Sequence, residues 1–154
     1  MPTATADEIA RLVEELDRAR QAWISGELET TATTHMTQDE AMTIFGPFGG
    51  EAATLGPWQR QVVSLFHGGT GRSELVRAYA DGDLLVLVMI ERNAVRFEGR
   101  TEPQPWVLRT TQVFHRDGAG WRRLHRHADP LIARRPLDAT LALAAVTTPA
   151  TATR

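Results

Sequence analysis

The stretch YADGDLLVLVMIERN, Tyr79 to Asn93, sets the tightest limit on the fold. Asp81-Gly82-Asp83 is a strong hairpin turn signal, because such residues adopt the left-handed backbone that a tight reversal needs. Every residue from Leu84 to Ile90 is apolar. A strand apolar on both faces belongs in the middle of a sheet, with cover on both sides. The reading from Ser73 to Gly99 is therefore two antiparallel strands, SELVRAYA and LLVLVMIERNAVRFEG, and the second must be central.

A second hairpin follows. PWVLRTTQVFHRDGAGWRRLHRHADPL turns between Asp117 and Gly120, and Pro130 ends its last strand. Ahead of these strands the period changes. Ile9, Leu12, Val13, Leu16, Ala19 and Trp23 follow helical spacing, predicting an amphipathic helix from Asp7 to Ser25. Thr5 and Glu8 form a capping-box pattern at its start, and Gly26 stops it. A weaker helix is expected from Glu27 to Met36, and a short strand from Ala41 to Phe45. Phe48-Gly49-Gly50 is read as a loop. TLGPWQRQVVSLFHGG reads as a third helix, with Pro57 in its first turn and the glycines after His67 ending it. LDATLALAAV forms a short helix near the end. The element order is α+β. It predicts a cone: a curved antiparallel sheet with helices packed on its concave face, a shape with an apolar interior for a small molecule.

The length of 154 residues fits one domain. Its expected parts are a flexible N-terminus over 1–6, the folded domain over 7–131, and a short helix with a frayed tail over 132–154. Composition removes several chemistries. There is no cysteine, and all 17 basic residues are arginine. Thiolate nucleophiles, cysteine metal sites and lysine Schiff bases are thereby excluded, leaving Asp, Glu, His and the single Tyr79 for proton transfer. The net charge of −2 argues against a nucleic-acid partner. No apolar run approaches the roughly 18 residues of a membrane span, and MPTATADEIARL is not a signal pattern, so a cytoplasmic location is expected. Acidic residues dominate the first third and arginines the stretch from Arg92 to Arg135. Pairing of opposite faces is favoured over an anion-attracting surface.

The order of these elements resembles the nuclear transport factor 2-like fold of ketosteroid isomerase and the SnoaL-like proteins. AWISGELE resembles the end of that family's first helix, MTIFGPFGG its first strand and loop, and TTQVFHRDGAGWRRLHRHAD its final hairpin. The hairpin also resembles the association domain of calcium/calmodulin-dependent kinase II. The resemblance implies a cone-shaped barrel that is commonly a homodimer through the outer sheet face, and no single activity. The positions where the isomerase carries its base and its oxyanion tyrosine fall on Gly46 and Ala19, so steroid isomerisation by that route is not expected. Gln112 stands where the kinase domain carries a pocket arginine. Arg126 and Arg109 are the candidates to replace it.

The candidate chemistry lies in HRHAD. His125, His127 and Asp129 sit two apart, and strand alternation puts them on one face with Trp121 and Arg123. Three readings are open: an acid–base pair in the cone, a metal site, or the polar face of a strand. The expected assignment is His127 as acid–base, Asp129 as its orienting partner and His125 as a second polar contact, with a β-bulge able to reverse the face. Trp23, Phe45, Tyr79, Glu91, Arg109 and Gln112 are the candidate ligand-binding residues. Core packing is the plain alternative for Trp23, Phe45, Trp58 and Phe66. Glu91 is expected to pair with Arg109. The function expected first is acid–base chemistry without cofactor or metal, of isomerase, cyclase or dehydratase type, on an apolar organic substrate. The alternatives are a non-catalytic ligand-binding or assembly module and a metal-dependent enzyme using the HxHxD strand.

Overall fold

The structure, a computed structural model, describes residues 3–27, 42–50, 58–118 and 120–145. The elements in chain order are α1 (Ala6–Ile24), β1 (Thr43–Phe45), α2 (Trp58–Val63), β2 (Phe66–Asp81), β3 (Leu84–Phe97), β4 (Gln104–Asp117), β5 (Gly120–Pro130) and α3 (Leu137–Ala144). The five strands form one curved, unclosed sheet in the order β1-β5-β4-β3-β2. Every pairing is antiparallel except β1 against β5. The helix expected over 27–36 falls mostly outside the described residues.

Helix α1 begins where the capping pattern places it. Thr5 Oγ1 accepts from the Glu8 amide at 3.2 Å, and Glu8 Oε2 accepts from the Thr5 amide at 2.8 Å. Two amides that the helix itself leaves unbonded are thus satisfied. The helix ends at Gly26, whose φ of 81° is the left-handed conformation a stop requires. Leu12, Leu16 and Ala19 are buried on one stripe of α1 and meet Leu85, Leu87, Met89, Phe114 and Trp121 on the inner sheet face. Burying each of the larger side chains contributes about 1.5–3 kcal/mol. A second cluster, around Ile24, Phe66 and Val95, includes Trp23, Val62, Phe97 and Trp106. Between the two clusters runs a band of buried polar side chains: Glu91, Asn93, Thr110 and Gln112.

Glu8 also ties the helix to the last hairpin. Its Oε1 accepts from Arg116 at 2.8 Å, and the Arg116 guanidinium lies 4.3 Å from the centre of the Trp121 ring. The bond from Arg116, then that from the Thr5 amide, holds the Glu8 carboxyl at about 2, below its ordinary 4.5. A depressed carboxylate stabilises the fold above the unfolded value, and that stability is lost as pH falls through the folded one. Acid unfolding between about pH 4.5 and 2 is therefore expected to be shallower in Glu8→Gln, as followed by thermal midpoints across that range.

Two expectations are corrected here. Helix α2 stops at Val63, and Phe66, His67 and the glycines open strand β2 instead of ending a helix. A Cβ on Gly69 would lie 2.2 Å from the Ala94 carbonyl oxygen, so a glycine there lets two strands approach where any side chain would collide. Strand β3 is central, yet the described chain covers it on one side only. Leu85, Leu87 and Met89 are fully buried, while Val86, Val88 and Ile90 on the outer face are half-buried and Leu84 is exposed.

Candidate ligand-binding cavity

Between α1, the loop after β1, α2 and the inner sheet face lies a cavity of about 410 Å³. That volume is in the range that holds a small organic molecule. Trp23, Phe66 and Trp106 form much of its apolar wall, with edge-on ring contacts at 6.0 Å between Trp23 and Phe66 and 6.1 Å between Phe66 and Trp106. Phe48, tilted against Trp106 at 5.5 Å and half-exposed, stands at the opening. Gly46 and Ala19, the positions that lack the isomerase groups, both line the cavity.

Its polar wall is made of arginines, amides and one carboxylate. Glu91 is 5% exposed, and both its oxygens accept from Arg126 Nη2, at 2.9 and 3.0 Å. Arg123 Nη1 donates to Gln112 Oε1 at 2.9 Å. Arg20, on α1, donates to Asp17 at 2.6 Å and to Ser73 at 2.5 Å. Asn93 donates to the Trp106 carbonyl at 2.9 Å. Burial, with the Arg126 charge adding to it, pulls Arg123 down to about 9, and the charge of Glu91 opposes that shift.

The histidines are on the other side. Val113 is level with His125, but Phe114 is level with Arg123, so Leu124 is an extra residue in β5. Such a bulge reverses the alternation. Trp121 and Arg123 point inward before it, and Arg126 and Ala128 point inward after it. His125, His127 and Asp129 consequently sit on the outer face, away from the cavity. The acid–base roles expected for them on a molecule inside the cone do not fit this placement. His125 Nδ1 and Thr43 Oγ1 share a hydrogen bond at 2.7 Å, and Phe45 packs edge-on against both imidazoles, at 6.0 and 5.7 Å. Burial, then the His127 charge, keeps the His125 imidazole below the ordinary histidine range.

The other candidates divide the same way. Trp23, Glu91 and Gln112 line the cavity. Phe45, beside His127 across a parallel pairing, is on the outer face, as is Tyr79, which is level with Val86 and well exposed. Arg109 is outside too, donating from Nε and Nη2 to the two carboxylate oxygens of Asp129. The pair expected between Glu91 and Arg109 is replaced by Glu91 with Arg126. The reason is register: Leu108 is level with Glu91, so Arg109 faces away from it. Trp58 and Phe66 both line the cavity, and Phe66 also belongs to the second core cluster. Arg20, Asn93 and Arg123 were not among the candidates. Only the bulge reveals Arg123 and Arg126 as neighbours in one wall, and no local sequence signal marks it. Among the described residues, no three of His, Asp and Glu converge as ligands to a cation would.

The sequence matches no protein-family model and no curated protein. Solved structures do match. A nuclear transport factor 2-like superfamily protein from Salmonella enterica superposes with a TM-score of 0.66 at 16% identity, covering 86% of this chain and 96% of its own. An NTF2-like family protein from Streptomyces avermitilis, described conjecturally as a dehydratase, matches with a TM-score of 0.61 at 18% identity over 81% of this chain and 99% of its own. The CaMKII hub of S. rosetta matches with a TM-score of 0.59 at 20% identity over 85% of this chain and all (100%) of its own. The chain therefore has the nuclear transport factor 2-like fold, in its α+β form with a curved, unclosed sheet. No helix among the described residues is long and apolar enough to cross a membrane.

Proposed function

We propose that this protein binds one small, mostly apolar organic molecule in the cavity between α1 and the inner sheet face. The observation that carries this is the composition of the wall: aromatic rings of Trp23, Phe66 and Trp106 beside a compact set of directed polar groups. A cavity with that division fits a ligand with an apolar body and a few polar atoms. Acid–base turnover of the bound molecule is the second reading, and Glu91 favours it. It is the one carboxylate in the cavity wall among the described residues, and its bonds to Arg126 fix its position. In that reading Glu91 takes the place first given to His127, and neither a metal nor a cofactor is invoked.

The protein is further proposed to act as a homodimer through the outer sheet face. Val86, Val88 and Ile90 on β3 are apolar side chains that the described chain leaves half-covered, a pattern suited to a second copy. The cytoplasm is the proposed location.

Binding is tested with neutral 2-naphthamide by ligand-observed NMR. Gly46 lines the cavity, and a Cβ there meets nothing within 4 Å, so Gly46→Trp adds bulk at the cavity wall from an unobstructed Cβ position. The expected result is binding by the native protein and its loss in Gly46→Trp. Equal binding by both would place the probe elsewhere and count against the proposal.

A further inference from the structure

The charges in the cavity wall do not balance. Arg126 is matched by Glu91, and Arg20 is matched by Asp17 on its own helix. Arg123 has a neutral partner only, the Gln112 amide oxygen, and its Nε is buried without an acceptor. Among the described residues it forms no ion pair. A buried cation that the nearby Glu91 charge offsets only in part is costly where water is excluded. Arg126 alongside makes it costlier. Three features of the surroundings show what would relieve it. The Arg123 side chain is part of the cavity lining, although its Nε is sealed. It presents unfilled donor capacity in a planar fork that suits a carboxylate's two oxygens. Glu91 already neutralises one of the two β5 arginines, leaving a single positive charge.

We propose that the ligand is a monocarboxylate with an aromatic or branched apolar body, its carboxylate taken by Arg123 and its body lying against Trp23, Phe66 and Trp106. This deepens the binding reading above and rests on it. Gln112 is a positioning residue: fully buried, it holds Arg123 through Nη1 and, with Nε closed off, leaves the Nη2 side of the guanidinium for the ligand. The Arg126–Glu91 pair rejects a second anionic group, since a dianion would face the Glu91 carboxylate. The wall accordingly discriminates by charge count as well as by shape.

The test pairs 2-naphthoate with 2-naphthamide, which share an apolar body and differ in charge. Dissociation constants are measured by NMR for the native protein, Arg123→Met and Arg123→Lys. The native protein is expected to bind the acid at least about tenfold more tightly than the amide, the scale of a hydrogen bond between charged groups. Arg123→Met is expected to bind the two alike, while Arg123→Lys keeps a preference for the acid. Arg123→Met without ligand is also expected to unfold at a temperature no lower than the native protein, because it removes an unmatched charge. Equal binding of acid and amide by the native protein would overturn the carboxylate proposal and leave the binding reading standing, and so would an acid preference that survives in Arg123→Met. If neither probe binds the native protein, the binding reading itself falls.

Discussion

Glu91→Ala is expected to destabilise the fold by about 3–5 kcal/mol, the usual cost of removing one member of a buried ion pair. Two cations, Arg126 and Arg123, would then share a wall with no anion among the described residues to match them. Most of the cost lies in what is left behind, not in the bond that is lost. Replacing both partners, Glu91→Met with Arg126→Met, is therefore expected to return stability to within about 1–2 kcal/mol of the native protein. Urea unfolding of the native protein, each single variant and the double variant measures this directly. A loss below about 1 kcal/mol in Glu91→Ala would mean that water screens the pair and that the wall is not the low-dielectric surface described here.

Phe114→Ala is expected to cost about 3–5 kcal/mol for a different reason. The ring is fully buried among Leu12, Leu16, Leu85, Leu87 and Trp121, where α1 meets the sheet. Its loss leaves a void that rigid neighbours on α1, β3 and β5 cannot close. For a chain of this size the thermal midpoint should fall by roughly 10 °C. Phe114 is not part of the cavity wall, so affinity for 2-naphthamide should hold in the variant below its lowered midpoint. A fall in both would show that this core cluster and the cavity are one mechanical unit.

Much of the fold was legible because its signals are local. The capping box at Thr5 and Glu8, the stop at Gly26 and the turns at Asp81 and Asp117 each depend on a few adjacent residues, and each is found in place. The glycines after His67 were misleading because glycine serves two purposes. It ends helices, and it also lets strands pass closely, as Gly69 does beside Ala94. The apolar run Leu84–Ile90 gave the central position of β3 correctly, but the cover expected on its outer face is not supplied by the described chain.

The site was less legible, and one residue accounts for most of the difference. Strict alternation from Trp121 places Arg123, His125, His127 and Asp129 together. The extra residue at Leu124 separates the first from the other three and brings Arg126 in beside Arg123. Bulges are set by the pairing of two strands and leave little trace in either one alone. The partner of Glu91 was missed for a related reason: it depends on the register of β3 with β4 and of β4 with β5, two pairings removed from the sequence.

The absence of cysteine allows a direct test of which face of β5 looks inward. His127 and Ala128 are adjacent, yet His127 is exposed and Ala128 is 1% exposed. Single-cysteine variants His127→Cys and Ala128→Cys can be treated with a water-soluble maleimide under native conditions. In protein diluted to the monomer, position 127 is expected to label rapidly and position 128 to stay protected until the protein is unfolded. Labelling at 128 with protection at 127 would put the imidazoles inside and Arg126 outside, and would contradict the arginine-walled cavity.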